Sequence, residues 1–177
     1  RIDPETFFEL SVARGAFMAS AAGENAGTML AVKAPLDEID AFIRDENLDV
    51  ILANRNSPMQ GVLSGSTQAI EAAQKLCKQK KFKAVRLSVA AAFHSRLVRG
   101  AQAPFMELLK TRNISDSAIP VFSNTTGEPY PSDTDGARKL LGEQILCPVN
   151  FVAEIENLYN SGVRTFLEVG PKSVLTG

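Results

Sequence analysis

The stretch from residue 28 to 89 limits the fold more than any other part of the sequence. TMLAVKA (28–34) is apolar, is bounded by breakers and reads as a strand. Pro35 opens PLDEIDAFIRDE, a helix with Leu36, Ile39 and Ile43 on one face. DVILANRNS (49–57) and MQGVLSGS (59–66) read as two strands about a tight turn at Ser57-Pro58. Thr67 is expected to cap TQAIEAAQKLCKQKK, a helix that turns Ile70, Ala73 and Leu76 inward, and KAVRLSV (83–89) is a fourth strand. The order β-α-β-β-α-β is the split, ferredoxin-like arrangement.

The flanks read differently. Asp3-Pro4-Glu5 is a strong helix opening, with an Asp cap, Pro in the first turn and an acid near the positive helix end. Phe7, Leu10, Ala13, Arg14 and Phe17 follow at helical spacing until AAGENAG (21–27) breaks the run. After residue 90, helix and strand alternate. A helix is expected from Ser95 through Leu109, a strand at 119–124 (IPVFSN), a Gly/Pro/Asp-rich loop and a helix at ARKLLGEQILC. Another helix is expected at PVNFVAEIENLYNSG, with Val152, Ile155 and Leu158 inward and Gly162 as its cap. A strand follows at 163–169, then Gly170-Pro171 and a final helix. Strands alternating with helices suggest a parallel α/β layer, but two strands do not make a doubly wound sheet. The chain therefore reads as a piece of something larger, its remaining strands expected elsewhere.

Composition narrows the function. With 45% hydrophobic and 22% charged residues among 177, the chain can build one sizeable core or two small ones. A net charge of -1 offers no field for nucleic acid or an anionic membrane surface. No run approaches the ~20 apolar residues of a membrane-spanning helix. Cys77 and Cys147 lie far apart and there is one His, so no metal site is expected and a reducing, cytoplasmic setting fits.

That single histidine, His94, sits in AAFHSRLV at the end of a strand-like run, where α/β folds keep their sites. It reads either as a satisfied core residue or as a general base, since neutral imidazole takes a proton from a hydroxyl near pH 7. Arg14 lies among Ala13, Gly15, Ala16 and Phe17. A guanidinium among small and apolar neighbours calls for an anion, and its planar fork matches a carboxylate. The run Asn56-Ser57-Pro58-Met59-Gln60 and the EVGP at 168–171 read first as turn chemistry. There is no G-x-S-x-G nucleophile elbow and no Gly-rich phosphate loop.

RIDPETFFELSVARGAFM, NRNSPMQGVLSG, AAFHSRLV, IPVFSNTTG, CPVNFVAEIENLY and FLEVGPKSVLTG occur in the order found in malonyl-CoA:acyl carrier protein transacylases. The chain resembles still more the acyltransferase domains of type I polyketide and polyunsaturated fatty acid synthases, and the resemblance covers essentially its whole length. It implies a larger α/β-hydrolase-like acyltransferase subdomain, here residues 1–25 and 91–177, with an inserted ferredoxin-like subdomain at 26–90. It implies ping-pong transfer of a malonyl group from a coenzyme A thioester, through a serine in a G-H-S-x-G elbow, to the phosphopantetheine thiol of an acyl carrier protein. No bound cofactor is implied. His94 matches the catalytic base and Arg14 the clamp on the malonyl carboxylate. Asn56 and Gln60 are carried as substrate-binding candidates.

Three departures stand out. The serine elbow and the oxyanion-hole glutamine are absent; in the family both lie upstream of a segment like RIDPE. The chain is thus expected to need that upstream segment, alongside neighbouring synthase domains, and to be inactive and marginally stable alone. Next, AAFH stands where malonyl-selective domains often read H-A-F-H; Phe93 matches and Ala91 does not, and a bulky Phe93 would exclude an α-methyl group, worth ~1–3 kcal/mol. Last, Asn150 stands in PVNF where bacterial relatives tend to have Gln; its backbone carbonyl is expected to orient His94. The alternatives are a discrete malonyl-CoA transacylase, a non-catalytic carrier-protein-docking fragment, and a hydrolase built on Cys77 or Cys147.

Overall fold

The computed structural model describes residues 2–23, 26–170 and 175. Helix α1 (Pro4–Ala22) starts as expected: the Asp3 side chain accepts from the Thr6 backbone N–H at 2.8 Å. Four strands follow, β1 (Thr28–Lys33), β2 (Val50–Ser57), β3 (Gln60–Gly65) and β4 (Lys83–Arg86), with α2 (Leu36–Asp45) and α3 (Thr67–Gln79) between them. They form one antiparallel sheet in the order β2-β3-β1-β4, so the expected β-α-β-β-α-β order is present.

Side-chain alternation sorts the sheet into two faces. Leu30, Val32, Leu52 and Leu63 face α2 and α3, and pack there with Ile39, Phe42, Ile70 and Ala73. Met29, Ala53 and Val62 face the other way, under Leu87, Val89 and Phe93. A second, separate core joins Leu10 and Met18 of α1 to Val98, Phe105, Leu109 and Ile145. Cys77 is fully buried in the first core, and burial pushes its thiol up to about 11. A thiol in that setting is a packing residue, not a nucleophile.

Several expectations are corrected. Ser66, not Thr67, caps α3, accepting from the Ala69 N–H at 3.1 Å. The fourth strand stops at Arg86. The run from Ser95 is a 3₁₀ helix, Arg96–Ala101, before α4 (Gln102–Lys110). Pro104 explains the break: it has no N–H to give the preceding turn and is tolerated only in the first turn of an α-helix. The next helix, α5, is Thr134–Glu143, earlier than expected because Asp133 caps it through the Gly136 N–H at 2.6 Å. In α6 (Phe151–Asn160) Val152, Ile155 and Leu158 are only half-buried, and Gly162 follows its end at φ 106.

Neither expected strand of the C-terminal half forms. Residues 119–124 make one isolated bridge, Phe122 to Pro129, and 163–169 make none. A strand exists only along a partner strand; 119–124 meets only the short turn at 128–130, and no ladder forms along 163–169 among the described residues, where Leu167 and Val169 are 85% and 88% exposed. The turn into a final helix lies outside the described residues.

The two cores are tied at one edge and one corner. Val149 lies along β2, donating to the Ala53 carbonyl and accepting from the Arg55 N–H, both at 2.8 Å. At the corner, Gly27 has φ +66, and a Cβ there would meet the Gly65 carbonyl, Leu97 and Ala92. Gly27→Ala should therefore cost roughly 2–4 kcal/mol from overpacking and left-handed strain combined. Urea denaturation of the purified chain checks this; unchanged stability would mean the corner relaxes freely.

Candidate active site

His94 stands on a loop that is fixed on every side. Its own backbone is in the left-handed region, at φ 57, which is uncommon for a non-glycine residue although histidine enters it more readily than most. Its surroundings are specific. The Ala92 N–H donates to the Ala26 carbonyl at 2.7 Å, and the buried Ser95 hydroxyl donates to the Ala92 carbonyl at 2.6 Å. The buried Ser64 hydroxyl of β3 donates to the Phe93 carbonyl at 2.7 Å. The small sheet thus grips the histidine loop through its own strand.

The imidazole enters a cavity of about 340 Å³ shared with Arg14, Gln144, Tyr130 and Asn124, with Phe105 and Leu141 as apolar wall. Its Nδ1 lies 3.2 Å from the Gln144 backbone carbonyl. Burial holds its pKa below the ordinary 6.5; the Gln144 and Cys147 carbonyls oppose that shift and the Arg14 charge adds to it. Arg14 reaches the cavity from α1, and its Nη2 donates to Gln144 Oε1 at 2.6 Å. Among the described residues Arg14 makes no ion pair. It is a half-buried cation satisfied by a neutral amide, an arrangement open to an anion. Tyr130 is also buried enough to raise its pKa, and it bonds to Ser123.

The structure brings His94 and Arg14 together and leaves the other candidates apart. Asn56 lines a different, apolar groove of about 610 Å³ along α6, with Phe151, Ile155 and Leu167. Gln60 pairs with Ser57 at the tip of the β2–β3 hairpin. Phe93 packs against both neighbouring clusters and is not part of the cavity wall.

Asn150 does not face His94. Its carbonyl accepts from the Glu154 N–H to start α6, its N–H donates to Asn124, and its side chain donates to the Thr125 carbonyl. Gln144, just past α5, takes the place expected of Asn150. The last carbonyls of a helix have no intrahelical donor and are free for such a contact. No sequence signal marked Gln144, because the helical pattern ARKLLGEQILC runs past it to Cys147. Among the described residues, no group of three or more His, Cys, Asp or Glu could hold a metal ion, and no helix is long and apolar enough to cross a membrane.

Ser64→Ala should strip the Phe93 carbonyl of its donor and cost about 1–3 kcal/mol, the usual penalty for an unsatisfied buried polar group. Thermal denaturation measures the loss; a change under a few tenths of a kcal/mol would show that the loop holds without β3.

Residues 5–177 match the family model described as the acyl transferase domain. The malonyl CoA-acyl carrier protein transacylase of Bacillus subtilis (strain 168) is 36% identical, over 93% of this chain and 53% of that protein. A polyunsaturated fatty acid synthase polypeptide from Thraustochytrium sp. is 34% identical over 99% of this chain and 6% of its own length. The crystal structure of the transacylase of Clostridium perfringens superposes with a TM-score of 0.90 at 35% identity, covering 99% of this chain and 56% of that one. The chain spans about half the length of these transacylases. By the extent of the family match and by this likeness in fold, the chain belongs to the acyl transferase domain family.

Proposed function

We propose that this chain supplies the base and the carboxylate clamp of a site that moves a malonyl group from coenzyme A to the phosphopantetheine thiol of an acyl carrier protein. One observation carries the reading: a guanidinium with no ion-pair partner among the described residues and an imidazole whose pKa burial lowers share one cavity, bridged by Gln144. Arg14 holds the free carboxylate of the malonyl group. His94 Nε2 takes the proton of a serine hydroxyl as that oxygen attacks the thioester carbonyl, and passes it to the departing coenzyme A thiolate. In the second half the carrier thiol gives its proton to His94 and attacks the acyl-serine ester; the C–O bond breaks and the leaving serine oxygen takes that proton from His94, which restores both serine and neutral imidazole. The names of the relatives, transacylases and synthase polypeptides of fatty acid and polyketide synthesis, support this chemistry.

The serine belongs to a segment outside these residues, since no nucleophile elbow occurs among them. The exposed apolar runs at 119–121 and 163–169 support a complementary segment that packs there and supplies pairing strands. On this reading residues 1–25 and 91–177 form the larger subdomain and 26–90 the ferredoxin-like insert, in a cytoplasmic protein. On the same reading Phe93 limits the α-substituent only indirectly, through its packing under the histidine loop, and Asn56 and Gln60, which lie apart from the cavity, would contact the more distant part of the donor.

Intact-mass analysis after incubation with malonyl-CoA tests the proposal. The chain alone should stay unmodified. With the serine-bearing segment of a related transacylase supplied, that segment should gain a malonyl group, at a rate that His94→Ala lowers about 10²–10⁴-fold. Arg14→Lys should reduce the preference for malonyl over acetyl thioesters about ten- to a hundredfold, the worth of a charged hydrogen bond. Malonylation of the chain alone would overturn the assignment of the nucleophile.

A further inference from the structure

We infer that the Gln144 side chain couples occupancy of the Arg14 carboxylate site to the tautomer of His94, so that the base is set only when a carboxylate is bound. The inference rests on the reading of Arg14 as clamp and His94 as base, and adds a positioning residue that works through both.

The geometry is unusual in one respect. His94 Nδ1 faces two polar groups of opposite sense from Gln144, the backbone carbonyl at 3.2 Å and the side-chain Nε2 at 3.4 Å, while the Cys147 carbonyl is a further acceptor beside the ring. The amide orientation follows from its other contact. Arg14 has only donors, so the oxygen of the amide must be the atom at 2.6 Å from Nη2, which leaves the nitrogen turned to His94. A neutral imidazole carries one proton, so Nδ1 can satisfy only one of the two groups at a time. With the proton on Nδ1 it donates to the carbonyl, and Nε2 is bare and able to accept a proton. With Nδ1 bare it accepts from the amide, the proton sits on Nε2, and the ring cannot act as base at that atom.

Arg14 is what keeps the amide in this competition. A carboxylate on the guanidinium replaces a neutral acceptor by a charged one, with hydrogen bonds roughly twice as strong. It displaces Oε1, the amide loses its anchor, and the backbone carbonyl remains as the partner of Nδ1. The ring then loses a proton at Nε2 and takes one at Nδ1 through solvent, with no change in net charge. The selected ligand class is a small acyl donor with a free carboxylate. A donor without one would leave the base partly in the wrong tautomer, so discrimination would fall on kcat as well as on KM.

The chain's single histidine makes the test direct. Its imidazole nitrogens are labelled with ¹⁵N and observed at about pH 8, above the ordinary titration range. Malonate is added as probe while the Arg14 Nε signal reports binding. Malonate should raise the ratio of Nδ1–H to Nε2–H tautomer about fivefold, the worth of one ordinary net hydrogen bond. Gln144→Leu should show the bound-like ratio without malonate and no further change on its addition. Gln144→Glu, which pairs with Arg14 and cannot donate, should give the same tautomer and no longer take up malonate. Malonate binding with an unchanged ratio overturns the coupling and leaves the clamp intact, as does a malonate-dependent change that persists in Gln144→Leu. No response of Arg14 to malonate overturns the clamp and the coupling together.

Discussion

Two groups that would each carry positive charge, the Arg14 guanidinium and the His94 imidazole, line the same half-buried cavity. A guanidinium does not give up its proton at any ordinary pH, so the imidazole is the one that stays neutral. Burial is the larger cause of this and the Arg14 charge adds to it. The consequence reaches the chemistry directly. A neutral ring can take a proton, and a cation with no ion-pair partner among the described residues can take an anion. On the proposed reading, that anion is the carboxylate of the acyl donor.

The rest of the fold places these two groups. α1 brings Arg14, and the end of α5 brings Gln144 with a carbonyl its own helix does not use. The small sheet holds the histidine loop through Ser64 and holds the segment after α5 through Val149 on β2. The sheet therefore acts on both sides of the imidazole, on the backbone that carries it and on the chain that orients it. Strain at His94, in left-handed backbone, is offset by the hydrogen bonds at Phe93 and Ser95.

Much of the sheet is legible in the sequence because a strand with two different faces writes its alternation plainly. Leu30 and Val32 go to one core while Met29 goes to the other, and the β-α-β-β-α-β order follows from such runs. The Asp3 cap is legible for a local reason, since its partner is three residues away. The runs at 119–124 and 163–169 have strand composition but not strand structure, because pairing is a property of two segments and composition belongs to one. Arg14 and His94 are legible as residue types out of place. Gln144 is not, because its main contact uses a backbone carbonyl, which every residue has. Asn150 misleads for the same reason: which carbonyl is free depends on where one helix ends and the next begins.

The proton NMR titration of His94 tests this account most directly, since the chain has no other histidine to confuse the signal. In the folded chain its pKa should lie below the ordinary 6.5, so that the ring is neutral at pH 7. In Arg14→Met it should move upward while remaining depressed by burial. A pKa at or above 6.5 that ignores the loss of Arg14 would contradict the account, because the imidazole would then be a solvated ring with no electrical connection to the proposed clamp.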